Sequence, residues 1–224
     1  DHVLSSTDNT AGEMPVSGVL YDSQKRPQKI TLPKANAKSH PQPSQAVSYT
    51  YDFAGELLSA TYPESGTTNY AYDQWGNVRF AQTADNRHDG VILYFKYDSW
   101  SRMVESGYYS GSWNAATMNS LAQNANFPDA NTSTITNLLF YDGSGTDSAY
   151  CVNKRGYLTQ RSTYAADGFS SVEQFWYDSY GNIKGTRILE NVLATPSESY
   201  SMSYAYDIAG NTTKIIYPPY NGQT

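Results

Sequence analysis

The sequence predicts an all-β fold of stacked antiparallel β-hairpins, and three observations support this. A Tyr-Asp pair recurs seven times along the 224 residues. Most pairs follow a short segment in which aromatic residues alternate with other residues, and a Gly follows the Asp by three positions in the cleanest copies. A phrase that recurs every few tens of residues indicates one supersecondary unit stacked on itself. We therefore expect the hairpins to form a curved, open sheet.

The cleanest copies share the phrase Y-D-x-x-G-[N/E], followed in three of the four by an apolar residue. They begin at Tyr51, Tyr72, Tyr177 and Tyr206. A fifth pair, Tyr97-Asp98, keeps the phrase except at the Gly position. We assign the following residues to the repeat motif: Tyr51, Asp52, Gly55, Tyr72, Asp73, Gly76, Tyr97, Asp98, Tyr177, Asp178, Gly181, Tyr206, Asp207 and Gly210.

The phrase has the chemistry of a hairpin tip. Two aromatics on one face before each pair, as in Tyr70-Ala71-Tyr72, predict a strand. The Asp carboxylate can accept backbone N–H groups ahead of it, and Asp at the first position with Gly at the fourth favours a type I turn closed by a Gly bulge. Ser101 and Lys25 occupy the Gly position in two copies, so those tips must differ or carry strain.

One region contains two incomplete copies. Val152 to Leu158 reads as a copy with Val for Tyr and Asn for Asp. Tyr141 to Gly145 has the Tyr-Asp pair but lacks the apolar residue that starts a return strand. We favour the Val152 copy as the repeat.

Organisation along the chain follows from the copies. Residues 1–17 are an irregular lead-in, and residues 18–224 form the repeat segment, with a loop at 33–46 and an insertion at 106–137. Residues 112–125 have helical spacing, with an apolar face and a cap at Ser112 or Asn114. The face consists of Met118, Leu121, Ala122 and Ala125.

The last eight residues repeat the turn signal of residues 62–67, after which another strand is expected. We interpret the chain as a segment of a longer repeat protein. The alternative is that open sheet edges pair with copies of the same chain.

Composition excludes several classes of partner. With 15 basic and 21 acidic residues and a net charge of −6, the chain lacks the basic surface that nucleic acid or an anionic membrane requires. No apolar run approaches the length of a membrane span. The single cysteine, Cys151, excludes an intramolecular disulfide and is interpreted as an inert thiol. The abundance of Tyr, Ser, Thr, Asn and Gly is typical of secreted β proteins.

No catalytic, cofactor or metal site is predicted, and we do not expect an enzyme. The three histidines, His2, His40 and His88, have no companions at ligand spacing. Asp85 to Gly90 carries calcium-type oxygens but lacks a distal Glu, so we interpret it as a polar hairpin turn. A glycosidase would need two carboxylates facing one cleft, and no pair outside the tips qualifies.

The repeated tyrosines Tyr51, Tyr72, Tyr97, Tyr177 and Tyr206 admit two interpretations. They can form a structural ladder along one face, with return-strand residues between them. They can also form an exposed aromatic platform that binds glycans. We favour the ladder.

The phrase resembles the YD-repeat or Rhs-repeat family, and the stretch from Gly66 to Val78 carries the likeness most fully. This family includes bacterial Rhs toxins, the B and C subunits of insecticidal toxin complexes, wall-associated repeat proteins and teneurins. The resemblance implies a β-sheet spiral that curls into a hollow shell, which encloses a toxin in the bacterial members. The chain lacks the D-P-x-G-type signature that ends the bacterial shells, so self-cleavage is not implied.

The sequence therefore favours a structural scaffold of a secreted or cell-surface bacterial protein. The expected partners are the remainder of a longer repeat shell or copies of the chain itself, with a toxin as cargo. The alternative is an extracellular binding or self-assembling module, directed at a glycan or forming fibres through its sheet edges.

Overall fold

The computed structural model describes residues 3–5, 18–31, 46–143, 155–166, 170–191 and 198–218. These residues form fifteen strands and two short helices. The strands are β1 (Val3–Ser5), β2 (Gly18–Tyr21), β3 (Pro27–Thr31), β4 (Ala46–Tyr51), β5 (Leu57–Tyr62), β6 (Gly66–Tyr72), β7 (Val78–Gln82), β8 (Val91–Tyr97), β9 (Met103–Ser110), β10 (Ser133–Tyr141), β11 (Leu158–Tyr164), β12 (Ser170–Tyr177), β13 (Ile183–Asn191), β14 (Glu198–Tyr206) and β15 (Thr212–Ile216). The helices are α1 (Ala84–His88) and α2 (Ala115–Ala122).

The strands follow one another across a single sheet in chain order, from β1 to β15. Every pairing whose register is described is antiparallel. The prediction of an all-β fold of stacked antiparallel hairpins is therefore confirmed. The chain divides into two compact units, one of residues 1–94 and 109–129 and the other of residues 95–108 and 130–224.

The core of the first unit lies on the sheet face opposite the tyrosines that end the strands. Ala71 pairs with Phe80, and Phe80 pairs with Tyr94, so these side chains form a row across β6, β7 and β8. All three are fully buried. Tyr109, Met118 and their neighbours complete the cluster on this face. Burial of large aromatic side chains here stabilises the unit by roughly 1.5–3 kcal/mol per side chain.

Helix α2 covers this core, as the helical spacing of residues 112–125 predicts. Asn114 caps it by accepting the Thr117 N–H at 3.0 Å. Met118 and Ala122 are buried, and Leu121 packs against the same cluster. The assignment of Ala125 to this face is wrong, because the helix ends at Ala122 and Ala125 is exposed.

A buried arginine holds the segment that follows α2. Arg79 is 2% exposed and donates to the carbonyl oxygens of Asn124 at 3.1 Å and Phe127 at 2.7 Å. Its guanidinium also lies over the Phe80 ring, 5.3 Å from the ring centroid, which is within reach of a cation–π contact. The insertion is thus fastened to the sheet by charge-assisted bonds as well as by apolar packing.

The polar stretch Asp85 to Gly90 connects the antiparallel strands β7 and β8, as the sequence predicts, but it does so through a short helix rather than a simple turn. Most of it lies in α1, whose N-terminus is closed by a capping box between Thr83 and Asn86. The Thr83 hydroxyl accepts the Asn86 N–H at 3.1 Å. These reciprocal bonds satisfy the first N–H groups of a helix, which favours a helical turn over a simple reversal.

The second unit buries many polar side chains between and beside its strands. Gln160, Ser162 and Thr186 are all less than 9% exposed. Gln174 donates to the Gln160 side chain at 3.2 Å across the β11–β12 pair. Ring atoms of Trp176 fill the space beside Gly185, its partner on β13, where a Cβ atom would stand.

Several predictions fall outside the described residues. These are the lead-in apart from β1, the loop at 33–46 apart from Ala46, the side chains of His2, His40 and Cys151, the Val152–Lys154 part of the incomplete copy, and residues 219–224. Among the described residues, neither helix has the length and hydrophobicity needed to cross a bilayer.

Candidate functional site

The Tyr-Asp phrases lie at hairpin tips, and the tip at Asp73 shows how each is built. The Asp73 N–H donates to the Asn77 carbonyl at 3.0 Å, and the Gly76 N–H donates to the Asp73 carbonyl at 3.1 Å. The carboxylate Oδ1 accepts the N–H groups of Trp75 and Asn77, both at 2.9 Å. The same pair of backbone bonds closes the tips at Asp22, Asp52, Asp98, Asp178 and Asp207.

The Gly position of each tip lies in the left-handed region. Gly55, Gly76, Gly181 and Gly210 have φ of 98°, 81°, 88° and 83°. Lys25 and Ser101 keep the same turn at φ of 64° and 59°, so these two tips are strained rather than rebuilt. In each pair of strands that a tip joins and whose register is described, the register shifts directly before the tyrosine. A bulge at the tip requires such a shift.

The two incomplete copies are halves of one tip. Tyr141 pairs with Leu158, and the Asp142 N–H donates to the Tyr157 carbonyl at 3.1 Å. The Asp142 carboxylate accepts the N–H of Gly156, which has a φ of 86°. The repeat therefore draws on both incomplete copies rather than on the Val152 copy alone. Tyr141-Asp142 supplies the first half of the tip, and Gly156 to Leu158 supplies the second half after an inserted segment.

A tyrosine hydroxyl ties successive hairpins together. The last tyrosine of a strand donates to the main-chain carbonyl of the first residue in the preceding return strand. Bonds of this kind join Tyr51 to Pro27 at 3.0 Å, Tyr72 to Leu57 at 2.9 Å, Tyr177 to Leu158 at 2.7 Å and Tyr206 to Ile183 at 2.8 Å. We call this bond the tyrosine clamp.

In several copies, the residue directly after the Gly position forms a second link, from one tip to the next. Arg26 donates to the Asp52 carbonyl at 3.0 Å and lies 4.6 Å from the Tyr51 ring centroid. Arg102 binds both Asp98 at 2.7 Å and Asp142 at 2.8 Å. We call this position the connector.

Other connectors link tips without a positive charge. Tyr157 stacks on Tyr177 with ring centroids 4.4 Å apart. At Tyr51 and Tyr177, a connector side chain from the preceding tip therefore lies against the tyrosine ring. Glu56 points toward Gly76 of the next tip, where it meets the charge of Asp73.

Hydrogen bonds to the tips shift the titration of several carboxylates. The Asn182 side chain, with N–H groups of the turn, lowers the pKa of Asp178, and Asn211 does the same to the pKa of Asp207. The Gly156 N–H and Arg102 lower the pKa of Asp142. Glu56 shifts in the opposite direction: burial, the charge of Asp52 and a bond to it, and the charge of Asp73 raise its pKa.

The tip residues next to the motif present apolar side chains to solvent. Phe53 is 95% exposed, Trp75 71%, Trp100 72% and Tyr180 89%. In the second unit, Tyr180, Tyr204 and Ile208 line an open cleft of about 580 Å³ between two tips. Exposed aromatics near polar turn groups are a surface that can bind a ligand or another protein.

Sequence reasoning missed the clamp and the connector. The only signal for the connector is that the residue after the Gly position is polar or planar in every copy. Nothing in the sequence shows which group accepts the hydrogen bond of a tyrosine hydroxyl. No group of three His, Cys, Asp or Glu side chains suited to a metal ion occurs within the described ranges.

Solved structures share this fold. The crystal structure of TcdB2-TccC3-Cdc42 matches 95% of this chain with a TM-score of 0.64 and 16% identity, over 10% of that chain. The crystal structure of TcdB2-TccC3-TEV matches 91% of this chain with a TM-score of 0.54 and 14% identity, over 11% of that chain. A Photorhabdus luminescens Tc holotoxin pore carrying a TccC3 substitution matches 91% with a TM-score of 0.54 and 13% identity.

This chain therefore spans about a tenth of the length of these Tc chains. At such identities the likeness shows the fold. No protein-family profile matches the sequence, and no curated protein matches it.

Proposed function

We propose that this chain is a structural scaffold, a segment of a YD/Rhs-repeat shell of a secreted or surface-exposed bacterial protein. Its wall encloses a cargo or presents a surface. The tyrosine clamp carries this proposal, because it uses the recurring tyrosine of the phrase to join successive hairpins into one layer. The likeness in fold to chains of Tc toxin complexes supports it.

The motif side chains have mechanical roles in this proposal. Asp73 organises its turn, Gly76 supplies the left-handed residue, and Tyr72 fixes the spacing to the neighbouring hairpin. Repetition of these parts extends the sheet by two strands for each copy. We expect the accumulated twist of so many strands to curve the wall, as twisted sheets of this size do.

Electron microscopy of the complete gene product that contains these residues tests the proposal. A hollow particle whose wall includes this segment, and which protects an enclosed polypeptide from added protease, is expected. A compact or filamentous particle with no internal space contradicts it.

A second candidate is an extracellular binding module directed at a carbohydrate, and the exposed tip aromatics favour it. Sugar rings stack on aromatic faces while hydroxyl groups bind neighbouring polar groups. A glycan array with the chain, and with Trp75→Ala and Trp100→Ala variants, tests this. Binding that either variant weakens supports the module, and an array without hits eliminates it.

A further inference from the structure

The outer edge of β15 presents main-chain groups of the kind that pair with a neighbouring strand elsewhere in the sheet. β15 pairs with β14 on one side, and no described strand pairs with its other side. All five of its residues are exposed. Ile215 and Ile216 are 44% and 51% exposed.

The internal return strands show what covers such an edge. In β3, β5, β11 and β13, the carbonyl of the first residue accepts a tyrosine hydroxyl from the next strand. Thr212 is the first residue of β15 and occupies the same position after its tip. Within the described ranges, its carbonyl accepts no tyrosine hydroxyl.

We infer that the outer edge of β15 is a docking site for an extended segment that ends in aromatic-x-Tyr-Asp. The incoming strand adds antiparallel to β15 through main-chain hydrogen bonds. Its tyrosine hydroxyl donates to the Thr212 carbonyl and so sets the register. This inference rests on the proposed scaffold function and names the chemistry of the partner.

The sheet order argues against a second folded copy as the occupant. Each described strand that ends in a Tyr-Asp pair has a neighbouring strand on both sides. A folded copy therefore offers none of these strands for docking, unless it first unpairs one. The occupant must be a segment that is still free to pair.

The internal copies also predict the register. In the β11–β12 pair, Gln174 lies three residues before the clamping Tyr177 and opposite Gln160, two residues after Leu158. By the same spacing, the residue three before the incoming tyrosine lies opposite Lys214. An acidic side chain there would face the Lys214 ammonium, and opposite charges on directly paired residues stabilise a strand pair.

Fluorescence anisotropy with labelled peptides tests the site on the whole chain. The probe is a peptide of residues 46–52, Ala46 to Asp52, which contains Tyr49 and Tyr51 and aligns Ser48 with Lys214. The matched control replaces Tyr51 by Phe in the peptide and removes only the hydroxyl. Saturable binding is expected, weakened about three- to tenfold by the Phe peptide, the range that one hydrogen bond gives.

A charge exchange locates the site. A Ser48→Glu peptide is expected to bind the native chain more tightly than a Ser48→Lys peptide, and the order is expected to reverse with a Lys214→Glu chain. Lys214 is exposed, so the substitution leaves the core intact.

Absence of binding at millimolar peptide, equal affinity for the Tyr51→Phe peptide, or an unchanged order with Lys214→Glu each overturns the inference. Self-association of the chain that the peptide inhibits would place a second folded copy on this edge and also overturns it. A hollow particle in electron microscopy combined with any of these results refutes the docking site alone and leaves the scaffold proposal standing.

Discussion

The Tyr72 hydroxyl donates a 2.9 Å hydrogen bond to the carbonyl of Leu57, fifteen residues earlier in the chain. This bond joins the last residue of β6 to the first residue of β5. It lies at the end of this strand pair that is opposite the connecting turn. It leaves the tyrosine ring between two tips. Burial and the charge of Glu56 raise the Tyr72 pKa, so the hydroxyl stays protonated and able to donate at neutral pH.

Removal of this hydroxyl should destabilise the first unit. Tyr72→Phe is expected to lower the free energy of unfolding by about 1 kcal/mol, because it leaves the Leu57 carbonyl without its donor. Urea denaturation followed by fluorescence measures the change.

Tyr70→Phe is the matched control, since Tyr70 lies on the same face of β6 but forms no such clamp. It should leave the midpoint almost unchanged. Equal losses in the two variants would show that the clamp contributes nothing of its own.

Substitution by Gly should relieve the backbone strain at the tips that have another residue at the Gly position. Ser101→Gly is expected to stabilise the second unit by about 0.5–1 kcal/mol, since Ser101 has a φ of 59° and Gly adopts this region without penalty. Thermal unfolding detects the gain. An unchanged or lower midpoint contradicts the assignment of strain to this tip.

Substitution of Gly by Ala at two uncrowded positions separates the effect of backbone conformation from the effect of steric crowding. Gly210 has a φ of 83° and Gly18 does not lie in the left-handed region, yet a Cβ at either would meet nothing within 4 Å. Gly210→Ala should destabilise the chain by about 1 kcal/mol, whereas Gly18→Ala should be neutral or slightly stabilising. Similar effects at both positions would remove the case for a left-handed tip residue.

The connector at Glu56 is poorly matched to its surroundings. Its carboxylate faces Asp52 and Asp73, whereas the equivalent Arg102 bridges Asp98 and Asp142. Glu56→Arg is therefore expected to stabilise the first unit at pH 7 by up to about 1 kcal/mol.

Glu56→Gln separates loss of repulsion from gain of a bridge. The raised pKa of Glu56 means that its protonated form favours the fold, so its contribution is present below the ordinary value of 4.5 and is lost as pH rises through the folded pKa. The stabilisation by Gln should thus be present at pH 7 and vanish near pH 3. A gain that is the same at both pH values contradicts the repulsion.

Acid should destabilise the tips at Asp178 and Asp207, which is the opposite of its effect at Glu56. Asp178 and Asp207 have a pKa below the ordinary value of 3.8, because Asn182 and Asn211 and turn N–H groups stabilise the charged form. Their contribution is present above that value and is lost as pH falls through the lower folded pKa.

Chemical denaturation between pH 5 and pH 2 measures this loss. Asp178→Asn should be less stable than the native chain at pH 5, and the difference should shrink at pH 2. A constant difference would mean that the Asp178 charge does not support its tip.

The tips were predictable from the sequence because their chemistry is local. Asp73 binds N–H groups no more than four residues away, and Gly76 needs only its own φ. Helix α2 was predictable for the same reason, from the Asn114 cap and the spacing of Met118 and Ala122.

The clamp was not predictable, because it depends on the register between hairpins. Tyr206 and Ile183 are separated by 23 residues, and only the pairing of β13 with β14 brings them together. The tip at Asp142 was not predicted for a related reason. An insertion separates its two halves, so the half with the clearer local pattern looked like a complete copy.

Amide hydrogen exchange resolved by NMR at the tips tests the central claim most directly. We expect the amides of Asp52, Asp73, Asp98, Asp178 and Asp207 to be protected, since each donates to the carbonyl four residues ahead. The amide of the residue after each Asp should exchange rapidly. Equal protection of these two amides, as in an unbroken strand, would show that the chain does not reverse at these phrases.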